Sequence, residues 1–424
     1  MKKGSKQWWK LAATIMGALS KSCSIPALKN DEGSWITSLK DKANMLAASF
    51  KSKNVLPDTS VNEFTTLKRL RSSQDELFFP VIGQTLEELE GLREDSGTGP
   101  DQLPARILKK CSRQLAKPIT ILIIRILATG IWPELWKDHW IVPLFKKGSS
   151  YLTENYRGVH LTAQMSKITE RVIKKLFMPH IHHINGYGHN QFAYTEGRGA
   201  RDALAFLMIE WIVALNGRDK IIIYNSDVSG AFDRVSVERL VSKLKAKGFH
   251  PRLIAVIKSW LQQRRARVVV GGETSDDIFL FNMIFQGTVL GPPLWNLFFE
   301  DARIPIQKSS FKEIVFADDL NAYKRIKRTV RNNTGFKYGR MCQHALHKWG
   351  EANNVTFDPK KESMSIISRD SPEGDGFKIL GVRFDTSLYM AQAVLKLSED
   401  ANWKVRTILR TKRFHNREES MNLY

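Results

Sequence analysis

Three carboxylates in this chain sit where carboxylates are costly. Asp227 follows the apolar run Ile221-Ile222-Ile223-Tyr224, and Asp318-Asp319 stands between the apolar runs Ile314 to Phe316 and Leu320 to Tyr323. A strand end fixes a side chain while leaving it open to solvent and substrate. Adjacent carboxylates repel and resist desolvation, and a divalent cation removes both problems. Hard oxygen ligands favour Mg²⁺, which also draws on phosphates and water. Two such ions roughly 4 Å apart activate an attacking hydroxyl and stabilise a leaving phosphate oxygen. An Asp-Asp turn alone is common on surfaces, so the pair gains weight only from what surrounds it.

The flanking patterns supply the elements. Ile221 to Tyr224 suits a central strand buried on both faces. Val235, Val237, Leu240, Val241 and Leu244 have helical period and stop near Gly248. Pro251 opens a further helix. Arg267 to Val270, a Gly271-Gly272 turn and Ile278 to Phe281 predict a hairpin, and Asp318-Asp319 marks the tip of another. Upstream, Trp140 to Phe145 reads as a strand and Thr162 to Leu176 as a helix. Nearer the start, helical stretches are expected around Trp8–Leu19 and Ile36–Phe50. A turn-rich break runs from Asp95 to Asp101. No repeat or low-complexity tract is visible.

Bulk properties agree with a polyanion partner. Against 43 Asp+Glu stand 65 Lys+Arg, a formal charge of +22, which favours nucleic acid through counterion release. With hydrophobic residues at 42%, the chain is not of disordered composition. Cys23, Cys111 and Cys342 are too scattered for a zinc site or disulfide framework and read as free thiols in a reducing compartment. His180, His182, His183 and His189 read as a polar loop. The Lys-rich start before Leu11 to Leu19 is a poor signal peptide, interrupted by Trp8 and Trp9. The run Ile119 to Ile131 carries Arg125 and is too short to span a bilayer.

In order along the chain stand Asp227-x-Ser-Gly-Ala-Phe-Asp233, Gln286-Gly287-Thr288-Val289-Leu290-Gly291-Pro292-Pro293-Leu294, and Phe316-Ala317-Asp318-Asp319. These resemble the palm motifs A, B and C of reverse transcriptases of the non-LTR retrotransposon type. Ile141 to Gly148, Asn155 to Thr162 and Ser166 to Arg171 resemble fingers motifs, and Gln191-Phe192-Ala193-Tyr194 also resembles a motif of that family. Lys360-Lys361-Glu362 resembles motif D, and Leu380-Gly381-Val382 the primer grip. The resemblance covers residues 95 to 424, and the ordered set is far more specific than any one motif. One departure is Gly158, where proline is usual after Tyr-Arg.

The resemblance implies roles. Asp227 and Asp318 would ligate two Mg²⁺ (or Mn²⁺) ions, with Asp319 beside them and the Val228 carbonyl completing one shell. Phe232 would lie under the sugar and exclude a 2′-hydroxyl. Arg157 and one of Lys146 or Lys147 would hold the triphosphate. Gln286 and Gly287 would meet the nucleotide and the template base. Lys360 or Lys361 would protonate pyrophosphate, and Leu380 and Gly381 would grip the primer. Asp233 also reads as a helix N-terminal charge.

The expected fold is α+β, a right-hand polymerase with an antiparallel-sheet palm. Residues 1–95 would precede the polymerase, 96–220 form the fingers, 221–383 the palm and 384–424 the start of an incomplete helical thumb. The expected activity is RNA-directed DNA polymerisation on an RNA template with a DNA primer and dNTPs. The site would be nuclear or cytoplasmic, with no membrane and no stable protein partner. The alternatives are a catalytically silent nucleic-acid-binding remnant, suggested by the short thumb, and an RNA-directed RNA polymerase, against which Phe232 argues.

Overall fold

The computed structural model describes residues 25–56 and 77–411. Trp8–Leu19, Cys23 and the signal-like start lie outside the described residues. The architecture is α+β. A four-stranded antiparallel sheet has the order Ser363–Ile367, Lys220–Asp227, Asp319–Ile326, Lys312–Phe316. Its second member is the expected central strand. Ile222 and Tyr224 face one hydrophobic cluster while Ile221 and Ile223 face another. A strand sealed on both faces must be apolar at every position, so alternation vanishes from its sequence.

Each face is covered by helices whose period matches it. Val237–Ala246, Pro251–Leu261 and Gly291–Phe299 contribute Leu240, Leu244, Ile257, Trp260, Leu294 and Trp295 to the larger cluster. On the other face, Ala200–Asn216 lays Leu207 and Trp211 against Ile223 and Tyr323, together with the small hairpin Phe377–Ile379 and Val382–Phe384. Pro292 and Pro293 stand in the first turn of Gly291–Phe299, where their missing N–H groups cost nothing.

The second sheet is mixed and draws its strands from before and after Lys220–Asp227. Asp138–Phe145 pairs antiparallel with Tyr156–Thr162 and parallel with Arg264–Val270. Arg264–Val270 turns back at Gly271-Gly272 onto Glu273–Thr274 and then pairs with Ile278–Leu280. Helix Leu39–Lys53 packs its Leu46, Ala47 and Phe50 into the same core.

One expectation is corrected. His180, His182 and His183 are not in a loop; they form the last turn of helix Gln164–His183. Phe177 and Ile181 are both buried and four residues apart, so the apolar stripe carries the helix beyond Leu176. The histidines then sit where a helix end favours hydrogen-bonding basic groups, and the His180 ring meets the Lys247 carbonyl at 2.8 Å. Among the described residues, no helix is long and apolar enough to cross a membrane.

Candidate active site

The hydrogen-bond register puts the acidic residues together. Asp227 ends its strand, Asp319 begins the neighbouring one, and their Cα atoms are paired across the ladder. Asp318 lies in the two-residue turn before Asp319, after Ala317 at φ 60°. A non-glycine residue in that region carries about 1 kcal/mol of strain, which its surroundings must offset. Here the Ala317 N–H donates to Gln191 Oε1 at 3.1 Å, and its carbonyl accepts from Trp295 Nε1 at 3.0 Å. The hairpin tip is thereby tied to two elements remote in sequence.

Burial, then the charges of Asp318 and Asp227, push the Asp319 carboxyl up to about 6. Burial also raises Asp318, with the Asp227 charge adding to it and a backbone hydrogen bond opposing it. Lys361 sits against this cluster, its ammonium donating to Asp227 Oδ2. Burial alone would lower the Lys361 pKa; the hydrogen bond to Asp227 and the charges of Asp227, Asp358 and Asp318 together outweigh it and raise the pKa.

A cavity of about 610 Å³ opens in front of Asp227 and Asp318. Lys146, Arg157, Val228, Phe232, Gln286, Gly287 and Lys361 line it. Partial desolvation, then the charges of Lys361 and Arg157, lower the Lys146 pKa. Three cations crowded on one wall, with Asp227 already holding Lys361, form a natural phosphate site. Phe232 is half-buried, its ring stacked on Trp295 with centroids 5.5 Å apart and planes 29° apart. The Gln286 amide donates to Asp233 Oδ1 at 3.2 Å, and the Gln286 carbonyl accepts from the His160 N–H at 2.9 Å. Gly287 has φ +95°, and a Cβ there would stand 3.1 Å from the His160 carbonyl oxygen. Glycine is therefore required by both backbone and space.

Not every candidate reaches the cavity. Lys147, Asp319, Lys360, Leu380 and Gly381 are absent from its wall. Lys360 is exposed, its backbone N–H bonded to Asp358 Oδ1 at 3.1 Å. Leu380 and Gly381 form the hairpin turn between Ile379 and Val382, with φ 49° and 88°. Two successive positive φ values suit the right-handed twist of a hairpin.

Some residues of the site were given no role in the sequence reading. Lys53 and Asn54, from the end of helix Leu39–Lys53, and Arg234 line the cavity, as does Tyr194, the last residue of the Gln191 to Tyr194 motif. Glu170 is buried; its Oε2 accepts from the Val289 N–H at 2.8 Å and from the Leu290 N–H at 3.3 Å. It thus fastens the segment after Gln286-Gly287. The sequence held a signal for it: an acid beside Ile168, Val172 and Ile173 on a buried helix stripe demands partners. Lys53 carried no such signal.

Among the described residues, no group of three His, Cys, Asp or Glu side chains stands ready to hold a metal unaided. The donors present still fit Mg²⁺, which takes one or two carboxylates and completes its shell with phosphate and water. The raised Asp318 and Asp319 are the mark of carboxylates short of positive charge.

Residues 145–384 match the family model described as reverse transcriptase (RNA-dependent DNA polymerase). The chain belongs to the reverse transcriptase family. Within that span fall Asp227, Asp318 and Asp319, with Lys146, Arg157, Phe232, Gln286 and Lys361; Lys53 falls outside it. The chain is similar to the RNA-directed DNA polymerase from mobile element jockey of Drosophila melanogaster, 24% identical over 89% of this chain and 44% of the relative. It is also similar to the probable RNA-directed DNA polymerase from transposon X-element of the same fly, 23% identical over 92% of the chain and 45% of the relative. A third relative, the retrovirus-related Pol polyprotein from type-1 retrotransposable element R1 of Bradysia coprophila, is 21% identical over 70% of the chain and 29% of its own length. The chain spans less than half the length of these reverse transcriptase relatives.

Proposed function

We propose that this chain is the polymerase region of a non-LTR retrotransposon and copies an RNA template into DNA by extending a DNA primer with dNTPs. The observation that carries the reading is the Asp227–Asp319 register, with Asp318 in the adjoining turn, facing a cavity walled by Lys146, Arg157 and Lys361. The four-stranded sheet is then the palm, the second sheet with helix Gln164–His183 most of the fingers, and Ala391–Thr411 the beginning of the thumb.

Asp227 and Asp318, with the Val228 carbonyl, would hold two Mg²⁺ ions, or Mn²⁺ in their place, with Asp319 alongside. Bound there, such ions lower the pKa of the attacking hydroxyl and neutralise charge on the leaving phosphate. The remaining steps belong to side chains. Lys146 and Arg157 receive the triphosphate, the Arg as a planar fork and the Lys as a point charge. Phe232, backed by Trp295, closes the space a 2′-hydroxyl would need, which favours deoxynucleotides over the ribonucleotides of an RNA-directed RNA polymerase. Gln286 and Gly287 meet the nucleotide and template base. Lys361, already at Asp227, is the proton donor to pyrophosphate, in preference to the outward Lys360. Leu380 and Gly381 grip the primer at some distance from the cavity. Such an enzyme works in the nucleus or cytoplasm.

The deciding experiment is primer extension by the purified chain on an RNA template with a DNA primer, dNTPs and Mg²⁺, beside Asp318→Ala. Extension by the wild type alone, with RNA binding equal in both, is the expected result. Retained RNA binding without extension by the wild type would mark a silent nucleic-acid-binding remnant. Equal extension by both would overturn the site.

A further inference from the structure

Lys361 lies in a turn, outside the sheet ladder, which begins only at Ser363 paired with Asn225. The Lys361 N–H donates to the Asp358 carbonyl at 2.9 Å, and the Glu362 N–H donates to the same oxygen at 3.2 Å. An ammonium on a four-carbon stem is placed no better than the backbone beneath it. The Asp358 N–H donates to the Asp227 carbonyl at 3.1 Å and ties the start of this turn to the strand that bears Asp227; the end that carries Lys361 needs a fixture of its own.

Glu362 supplies that fixture. Its side chain is only 8% exposed and is held from two directions. From the central strand, the Tyr224 hydroxyl donates to Oε1, as does Ser226 Oγ at 3.3 Å. From helix Asn332–Asn353, Gln343 Nε2 donates to Oε2 at 3.0 Å, and His347 Nε2 meets Oε1 at 2.8 Å. The His347 ring stacks on Phe357, centroids 5.2 Å apart and planes 6° apart, and Phe357 pairs with Val228 across an isolated bridge. Burial and the hydrogen bond to Glu362 both raise the Tyr224 phenol, which keeps it a donor. A buried carboxylate with both oxygens satisfied is rigid, and removing it would strand its donors.

We infer that Glu362 is a positioning residue for Lys361: by binding Tyr224, Ser226, Gln343 and His347 together, it locks the 358–361 turn so that the Lys361 ammonium stands at Asp227. Glu362 does not line the cavity. Its action on catalysis passes through Lys361, and this consequence rests on the polymerase reading above. The positioning itself does not.

Two measurements separate those claims. The first is labelling of Lys361 by a water-soluble amine-reactive reagent, read by peptide mass spectrometry against Lys360 as internal reference. Glu362→Ala is expected to raise relative labelling of Lys361 about threefold or more, the change set by freeing an ion pair of this exposure. Glu362→Gln, which preserves shape and some hydrogen bonds, is expected to give a smaller rise and guards against misfolding of the alanine variant. Unchanged labelling in both overturns the inference, whatever the activity. The second is a double-mutant cycle on primer extension with Lys361→Ala. Glu362→Ala is expected to lower kcat about tenfold or more with little change in KM for primer–template, and to cost nothing further once Lys361 is alanine. Losses that simply multiply would show a structural role independent of Lys361 and overturn the inference. If the wild type does not extend primers while the labelling rises, the polymerase reading falls and the positioning of Lys361 stands.

Discussion

Asp319 stands directly opposite Asp227 in the ladder of the two central strands. Burial and the neighbouring charges of Asp318 and Asp227 raise its carboxyl to about 6, because ionised carboxylates gathered this way repel. The site as folded is thus a place of stored electrostatic cost, relieved by positive charge.

The pH consequence has a definite sign. The Asp319 pKa is raised to about 6 in the folded chain, above the unfolded value of roughly 3.9. Between those values the folded state binds more protons, so this group makes stability fall as pH rises. Asp319→Asn is therefore expected to raise the Tm of the metal-free protein at pH 7 to 8, with little effect at pH 4. Thermal melts at both values check this, and an equal shift at both would contradict it.

Phe232→Ala should open the sugar side of the cavity. Discrimination against ribonucleotides, read as the ratio of kcat/KM for dNTP and rNTP, is expected to fall by about tenfold or more. The half-buried ring rests on Trp295, so a stability loss of roughly 1–3 kcal/mol accompanies the change. An unchanged ratio would remove Phe232 from the gate.

The two adjacent lysines should separate. Lys146 is in the cavity wall and Lys147 is not. Lys146→Ala is expected to raise the KM for dNTP by about tenfold, within the range for losing one charged contact to phosphate. Lys147→Ala should leave that KM within twofold or so and act, if at all, on salt-dependent template binding. Steady-state kinetics with dNTP varied distinguishes them; equal effects would show the cavity wall is not what selects.

A buried pair of histidines behind Gln286 predicts an acid limit. The His139 and His160 rings lie 4.8 Å apart, each against Phe285. Burial, then Arg264, pushes His160 down to about 3; burial, then His160, lowers His139 well below its usual range. A folded pKa below the unfolded one means stability is fully present above about pH 6.5 and is lost as pH falls toward the folded value. The slope is up to roughly 1.4 kcal/mol per pH unit for each histidine. Denaturant melts of wild type and His160→Gln from pH 7 to 4 should diverge, with the variant flatter; parallel curves would refute it.

The sequence by itself determined the local pieces. The Ile221 to Tyr224 run specified a strand buried on both faces, and Ile314 to Phe316 with Leu320 to Tyr323 specified a hairpin, though with its tip at Asp318-Asp319 where the structure turns at Ala317-Asp318 and pairs Asp319 with Phe316. These are near-neighbour properties: apolar runs and turn residues act over a few positions. The order of the motifs likewise announced the reverse transcriptase family, whose model matches residues 145–384. Only the tertiary structure decided which of two like residues meets the cavity. Lys361 and not Lys360, and Lys146 and not Lys147, reach the cavity, because strand and turn direction send neighbouring side chains opposite ways. It alone brought Lys53 from an early helix to the same wall, buried Glu170 beneath the Gln286 segment, and set Trp295 under both Phe232 and Ala317. Those relations join residues dozens to hundreds of positions apart. They are fixed by packing and hydrogen-bond satisfaction across the core, which no local period encodes.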